Sequence, residues 1–426
     1  MKLFGTSGIR RIADAGFIEL ALKAGMAAGN LYETMAVGCD SRTSSDALKH
    51  AFIAGALMTG ADCTDIGLAP TPTTAMAAEQ CKAGVMITAS HNPPQYNGIK
   101  FINPDGSAFD SQQEEQLENL ILDAQMPPVN WEVIRNSRKS DDAVENHIKR
   151  ITGLVSGSYG LKVALDCGGG AGSVITPLLL KRMGCEVVEQ YCTPDGNFPR
   201  PSEPTENNLQ ELVRLTAESG ADLGIAHDGD ADRMMAVDDK GRFIPGDKLL
   251  VIFSRYSGGK DIVTTYDASM VIDEADFTVR RTRIGDTYVS VELRKGGHFG
   301  GEPSGSWIFP ENSLCPDGIY AAAKLVSIAA QKKLSELADE IPQYPILRTS
   351  MPIEKFEPER IMEKLEALEP EWIATTDGIK LGFEDGWAMV RPSGTEPILR
   401  LAVEARDEST LNRLFDTCKK IIEESL

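Results

Sequence analysis

Apolar runs of strand length, alternating with stretches of helical spacing, limit how this chain can fold. The runs lie at 36–38, 61–66, 85–87, 162–166, 221–226 and 261–266, and residues 17–29 and 44–59 carry apolar spacing suited to helices. Strands alternating with helices imply parallel sheets built through crossover connections. Three such α/β units are predicted, over 1–140, 141–245 and 246–340. The first ends in the polar stretch after Met126-Pro127-Pro128, and the third begins near Gly246-Asp247 and closes with an alanine-rich helix over 317–333. Ile341-Pro342-Gln343-Tyr344-Pro345 reads as a linker. Beyond it the pattern changes to a helix over 358–367, a strand over 386–391, a loop over 391–397, a strand over 397–405 and a helix over 409–424. That mixture predicts a smaller α+β domain over 341–426.

The 426 residues, 42% of them apolar and 25% charged, suffice for several cores and fit neither a disordered nor a fibrous class. No apolar signal core follows Met1, and no run reaches the roughly 18 apolar residues of a membrane helix. A cytoplasmic location is therefore expected. The eight cysteines (39, 63, 81, 167, 185, 192, 315 and 418) form no Cys-x-x-Cys pair and are predicted to be reduced, packing as small hydrophobes. With 43 basic against 63 acidic residues, the formal charge of −20 repels nucleic acid and anionic membranes. An anionic substrate would need a local basic pocket.

Two of the predicted strands run straight into loops that carry chemistry. The run 221–226 leads into His227-Asp228-Gly229-Asp230-Ala231-Asp232-Arg233. Close carboxylates repel unless something positive sits among them, and magnesium takes a few carboxylates while leaving positions for water or a phosphate oxygen. A calcium loop fails on spacing: counted from Asp228, position six is Arg233 rather than glycine and position twelve is Asp239 rather than glutamate. Asp228, Asp230 and Asp232 are the predicted metal ligands, and the alternative is an acidic turn.

The run 85–87 leads into Thr88-Ala89-Ser90-His91-Asn92-Pro93. A serine-hydrolase elbow needs glycine where this chain has Thr88 and Asn92. The rival reading is that Ser90 carries a phosphoryl group whose oxygen completes the metal shell, a chemistry that depends on positioning and charge neutralisation. Lys100 is a candidate for proton transfer, provided that burial or cationic neighbours lower its pKa. A surface lysine on a strand is the alternative.

Arg391-Pro392-Ser393-Gly394-Thr395-Glu396-Pro397, followed by Arg400, suits a second anion site, because arginine forks match phosphate oxygens and small residues supply hydroxyls and amides. Gly5-Thr6-Ser7-Gly8-Ile9-Arg10 is either a backbone able to approach an oxyanion or a plain turn. Glu302 and Ser304, in a glycine-rich loop, have the chemistry to hold sugar hydroxyls. The stretch 168–173 imitates a dinucleotide fingerprint but has Ser173 where the third glycine belongs, so it reads as a tight strand-to-helix turn. Residues 194–204, with four prolines, read as a stiff exposed loop, and His147 and His298 as structural or solvated.

Taken together and in this order, the loops at 5–10, 88–93, 228–233, 301–305 and 391–397 resemble the five motifs of the α-D-phosphohexomutase superfamily, and they span nearly the whole chain. The resemblance implies a four-domain architecture around a central cleft, with three similar α/β domains and a smaller, mobile C-terminal α+β domain related to the TATA-binding-protein fold. It implies that phosphorylated Ser90 donates to a hexose phosphate, and that the bisphosphate reorients and returns its other phosphate to Ser90. It also implies one Mg²⁺ per chain held by Ser90, Asp228, Asp230 and Asp232, and a sugar bisphosphate as activator. Arg10, His91 and Lys100 would surround the transferring group, with Arg233 supporting the metal loop. Glu302 and Ser304 would hold sugar hydroxyls, and Arg391, Ser393, Gly394, Thr395 and Arg400 the other phosphate. The partners expected are small hexose phosphates, with the chain a monomer or homodimer. Many members carry histidine or asparagine where this chain has Ser306, which leaves the second proton-transfer group open. Arg283-Ile284-Gly285-Asp286-Thr287-Tyr288-Val289 is similar to the phosphoglucosamine mutase branch, so glucosamine phosphate is the expected substrate, with phosphomannomutase/phosphoglucomutase activity the alternative. A phosphatase that discharges Ser90 to water and a non-catalytic sugar-phosphate binder are the alternatives of other classes.

Overall fold

The structure, a computed structural model, describes residues 3–5, 8–123, 130–353, 358–393 and 398–425. Four sheets follow one another along the chain. The first has the strand order Ile9–Ile12, Tyr96–Ile102, Ala83–Ile87, Thr34–Cys39, Asp62–Leu68, Ser137–Lys139. The second runs Phe243–Ile244, Met234–Val237, Leu223–His227, Lys162–Asp166, Glu186–Gln190, and the third Thr278–Thr282, Asp261–Thr265, Phe299–Gly301, Trp307–Ile308. In the fourth, Ile346–Pro352, Ile398–Ala405, Gly386–Pro392, Ile379–Phe383 and Trp372–Ala374 are antiparallel throughout. The α/β, then α+β, architecture is the one expected. Helices Ala15–Leu31, Ser45–Met58, Gly318–Ala329 and Glu408–Glu423 lie where apolar spacing placed them. The last of these turns Leu411, Leu414, Cys418 and Ile422 onto its sheet, one residue per turn or so of a 3.6-residue repeat.

The first three sheets are not purely parallel. Thr34–Cys39, Lys162–Asp166 and Asp261–Thr265 each have parallel neighbours on both sides, but Ala83–Ile87, Leu223–His227 and Phe299–Gly301 are antiparallel to the strand that follows them. The reason is loop length. A parallel neighbour needs a crossover of about a dozen residues or more, and the intervening stretches 88–95, 228–233 and 302–306 are too short. Each therefore turns back as a hairpin at the carboxyl end of a parallel strand, where open α/β sheets present ligand sites. The loops that carry the candidate chemistry are these three hairpins.

Separate hydrophobic cores lie beneath the first sheet and inside the fourth, whereas one continuous core runs from Ile148 to Ile341 through the second and third sheets. The helix Gly318–Ala329 fills that shared core. Its N-cap Asp317 also accepts from His147 Nε2 (3.0 Å) and Asn312 (2.7 Å), while His147 Nδ1 meets Thr73 Oγ1 at 2.9 Å. His147 is thus structural, fully buried between the first unit and this helix, and His298 is exposed. All eight cysteines are free. No helix among the described residues is long and apolar enough to cross a membrane.

The proline-rich stretch 194–204 departs from its expected exposure. Phe198, Arg200 and Ser202 are buried, because Arg200 Nε reaches both oxygens of Asp166 (3.1 and 3.0 Å) and Nη2 donates to the His227 carbonyl (2.7 Å). The glycine-rich turn at 168–170 serves the same neighbourhood. Ala171 N donates to the Gly229 carbonyl (2.8 Å), and a Cβ on Gly170 would stand 2.6 Å from that oxygen, so the turn braces the aspartate loop rather than a dinucleotide.

Candidate active site

Ser90 sits just past the strand Ala83–Ile87 in a left-handed backbone conformation, φ 50°, which costs a non-glycine residue on the order of 1 kcal/mol. A closed hydrogen-bond ring holds it there. Ser90 N donates to Thr88 Oγ1 (2.8 Å), Thr88 Oγ1 donates to Asp40 Oδ2 (2.7 Å), Arg42 Nε donates to the same oxygen (2.9 Å), and Arg42 Nη2 donates back to the Ser90 carbonyl (2.8 Å). The remaining guanidinium bonds go to the carbonyls of Asn92 (2.7 Å), Pro93 (2.7 Å) and Tyr96 (2.8 Å), and the group lies over the Phe198 ring at 5.0 Å. Burial keeps the Asp40 carboxyl above its usual range even beside Arg42. The ring aims Ser90 Oγ at Asp228 Oδ2, 2.8 Å away.

The aspartate loop meets Ser90 backbone to backbone: a Cβ on Gly229 would fall 2.6 Å from the Ser90 carbonyl, so only glycine fits between the two loops. His227 braces it from behind, with Nδ1 3.0 Å from the Arg233 carbonyl and Nε2 3.1 Å from Thr176 Oγ1, and burial lowers this imidazole to about 4. Ala231 is the second left-handed non-glycine residue at the site, φ 55°. Asp228, Asp230 and Asp232 are all buried and offer ligand oxygens within 4.8 Å of one another. Asp230 Oδ1 and Asp232 Oδ1 are buried without a hydrogen-bond partner among the described residues. Two orphaned carboxylate oxygens cost several kcal/mol between them unless a cation satisfies them, so this donor set fits a hard divalent ion.

Burial first, then mutual repulsion, holds Asp228 and Asp232 above the usual carboxylate range, whereas Lys100, together with Thr71, keeps Asp230 below it against burial. Lys100 Nζ donates to Asp230 Oδ2 (2.8 Å) and Asp232 Oδ2 (2.7 Å). Burial disfavours its ammonium, but the two carboxylates outweigh burial and raise its pKa. The condition set for Lys100 as a base, a lowered pKa, is not met here: the two carboxylates hold it as an ammonium. His91 Nδ1 lies 3.4 Å from Ser90 Oγ; burial, Arg233 and Arg10 lower it to about 2 and keep it neutral. Arg10 Nη1 donates to Asn92 Oδ1 (2.9 Å), and its buried Nε has no partner among the described residues, a donor suited to a phosphate oxygen. Arg233 pairs with Glu203 (3.3 Å) and remains charged, because Asp228 and Asp232 overcome its burial.

The loop 302–306 is fastened to the strand that follows the aspartates: Met234 N donates to the Gly305 carbonyl (2.9 Å), and Arg233 bridges Ser306. Glu302 is buried and Ser304 exposed. Glu302 Oε1 accepts from Gly285 N (2.8 Å), and burial, with Asp286 and Asp267 nearby, raises this carboxyl to about 8. In the C-terminal sheet, Arg391 and Arg400 stand directly opposite each other. Like charges in that register destabilise a sheet unless an anion lies between them. Ser393 N closes the hairpin onto the Ile398 carbonyl (2.8 Å), while Gly394 and Thr395 lie outside the described residues, as do Thr6 and Ser7 of the first loop. Asp377 joins this sheet to the third unit, accepting from Ile284 N (3.0 Å) and pairing with Arg391 (3.6 Å).

The structure thus gathers Arg10, Ser90, His91, Lys100, Asp228, Asp230, Asp232 and Arg233 at one point, with Glu302 beside Arg233 and the arginine pair carried by the C-terminal sheet. Residues 1–127, 143–241 and 245–344 match the three alpha/beta/alpha domains of phosphoglucomutase/phosphomannomutase, and 354–420 match the C-terminal domain of the same family. A "Probable phosphoglucosamine mutase" of Methanosarcina barkeri is 49% identical over 436 residues, covering 100% of both chains, and that of Methanosarcina acetivorans is 47% identical with the same coverage. The crystal structure of a phosphoglucomutase/phosphomannomutase family protein from Burkholderia thailandensis superposes with a TM-score of 0.88 at 26% identity, over 100% of this chain and 97% of that one. With all four domains matched in order and relatives this similar over the full length, the chain belongs to the phosphoglucomutase/phosphomannomutase family of hexose-phosphate mutases.

Proposed function

We propose that the protein interconverts glucosamine 6-phosphate and glucosamine 1-phosphate through phosphorylated Ser90 and a sugar bisphosphate. The observation that carries this reading is Ser90 Oγ held 2.8 Å from Asp228 in a strained, fully braced loop, with the facing arginines Arg391 and Arg400, suited to a second phosphate, on a different domain. One phosphate site would serve a hydrolase; two serve an enzyme that must hold its intermediate for a second transfer. The choice of glucosamine follows the relatives named above and the 283–289 stretch.

In the first transfer the Ser90 Oγ–P bond breaks as a bond forms from the sugar O1 to phosphorus, and the hydroxyl proton passes on balance to Ser90 Oγ. The bisphosphate turns end for end, and the O6 phosphoryl group then returns to Ser90. Asp228, Asp230 and Asp232, with an oxygen of the group on Ser90, would hold Mg²⁺. That ion supplies charge neutralisation for the transferring phosphoryl group. Arg10 offers its free Nε to a phosphoryl oxygen, His91 a neutral imidazole, and Lys100 a proton to the leaving oxygen. Purified protein with Mg²⁺ and a trace of glucose 1,6-bisphosphate is expected to interconvert the glucosamine monophosphates faster than those of mannose or glucose. Faster turnover of the latter overturns the choice of sugar, and release of inorganic phosphate in proportion to substrate consumed overturns the mutase.

Glu302, raised to about 8 by burial with Asp286 and Asp267 nearby, would meet a sugar hydroxyl as a protonated carboxyl. Between the unfolded glutamate value of about 4.3 and about 8, the folded state holds a proton that the unfolded chain has released. This group's contribution to stability is therefore full below about 4.3 and falls as pH rises to 8. Denaturation of the wild type and of Glu302→Gln should show the difference between them shifting against the wild type from pH 6 to pH 9. A constant difference contradicts the assignment.

A further inference from the structure

The helix Thr71–Ala78 belongs to the first domain, yet its first residue grips the aspartate loop of the second. Thr71 N donates to the Asp230 carbonyl (3.0 Å), and Thr71 Oγ1 donates to Asp230 Oδ2 (2.5 Å). Backbone and side chain of one buried residue thus hold backbone and side chain of another. Asp230 Oδ2 also accepts from Lys100 Nζ (2.8 Å), which leaves Oδ1 as the oxygen without a partner among the described residues. The two donors differ in what they can fix. Lys100 reaches Oδ2 on a flexible four-carbon stem and shares its ammonium with Asp232 (2.7 Å), so it supplies charge and can follow the carboxylate as it moves. Thr71 has one stiff torsion between its backbone and its hydroxyl, and that backbone is already bonded to Asp230. It can set where the carboxylate points.

Thr71 is itself held fast. Its helix is pressed onto the strands Thr34–Cys39 and Ala83–Ile87, where a Cβ on Gly38 would stand 2.1 Å from Thr74 Oγ1 and one on Gly84 2.8 Å from Ala78 Cβ. Two residues along, Thr73 Oγ1 meets His147 Nδ1 at 2.9 Å. The strand Ala83–Ile87 is also the one that leads into Ser90. Ser90 and Thr71 are therefore carried by the same packed layers, the first against Asp228 and the second against Asp230. We infer that Thr71 is a positioning residue for the metal: its hydroxyl holds Asp230 Oδ2, so that Oδ1 remains the oxygen offered to the divalent ion. This inference rests on the reading of the three aspartates as that ion's ligands, and deepens it by naming what orients one of them. Hydrogen-bond partners behind metal ligands typically change affinity or activity by roughly tenfold to a hundredfold when removed.

The test reads metal affinity rather than turnover. Mn²⁺, whose free form is counted by electron paramagnetic resonance, is titrated into the metal-free, dephosphorylated protein and into Thr71→Val, Thr71→Ser and Thr73→Val. Valine keeps the branching of threonine and the backbone bond to Asp230, and lacks only the hydroxyl. The dissociation constant is expected to rise roughly tenfold or more in Thr71→Val and to stay within about threefold of the wild type in Thr71→Ser, which keeps the donor. Thr73→Val takes from the same helical turn its bond to His147, and should leave the constant unchanged. A constant within about twofold of the wild type in Thr71→Val overturns the inference. So does equal weakening in Thr71→Ser, which assigns the effect to packing, or in Thr73→Val, which assigns it to a loosened helix. Failure of the underlying reading looks different: wild-type protein that binds no Mn²⁺ removes the ion itself, whatever the variants do.

Discussion

Ser90→Ala should lose mutase turnover by on the order of 10⁴-fold or more, the scale on which removal of a covalent nucleophile acts. The loss is chemical rather than structural. Alanine is no more strained than serine at φ 50°, and the hydrogen-bond ring around position 90 uses the backbone N–H and carbonyl, which the substitution leaves in place. Asp228 forfeits one donor, the 2.8 Å bond from Oγ, worth about 1 kcal/mol of stability. The dissociation constant for a hexose monophosphate should change by no more than a few fold, because Arg391 and Arg400 are untouched. Single-turnover assays with the bisphosphate would locate the loss in the transfer step. A variant retaining a tenth of wild-type turnover would remove Ser90 from the mechanism.

Arg42→Met should cost about 3–5 kcal/mol of stability, the range for breaking a buried ion pair on one side. Arg42 and Asp40 are both buried, and the guanidinium satisfies the carbonyls of Ser90, Asn92, Pro93 and Tyr96 besides the carboxylate. Asp40, already held above its usual range by burial, can escape part of the penalty by taking a proton. The four carbonyls cannot. Their loops should relax, and Ser90 with them, so the folded fraction should also show kcat reduced more than KM is raised. Arg42→Lys keeps the charge but offers no planar fork and should restore stability better than activity. Denaturation with urea, read beside kcat at a temperature where each variant is folded, separates the two effects. Activity that tracks the folded fraction alone would reduce Arg42 to scaffolding.

The contrast between Arg42 and the aspartates shows what the sequence could disclose. Asp228, Asp230 and Asp232 are legible because their repulsion is local: three carboxylates within five residues call for positive charge among them once they are buried. Arg42 gives no such sign: apart from Asp40 its partners are backbone carbonyls about fifty residues away, which any residue provides. Lys100 was readable as part of the site but not in its charge state, because Asp230 and Asp232, which raise its pKa, reach it across domains. The prolines of 194–204 suggest a stiff exposed stretch, but Arg200 reaching Asp166 and His227 turns it inward. Parallel strands followed from the alternation of elements; the antiparallel turn at each site loop follows from loop length, which becomes decisive only once strand ends are known. Arg391 and Arg400 were visible as arginines near a small-residue loop, and the sheet register adds that they stand face to face.

As proposed, Ser90 is a phosphate carrier, loaded from the bisphosphate and reloaded from the same molecule after it turns. Incubation of the protein with Mg²⁺ and sugar bisphosphate labelled with ³²P, followed by proteolysis and mass spectrometry, tests it directly. The prediction is one labelled peptide containing Ser90, with the label chased onto unlabelled hexose monophosphate and none released as inorganic phosphate during the chase. Label absent from Ser90 in protein that nonetheless turns over, or label lost to water rather than to the sugar, would contradict it.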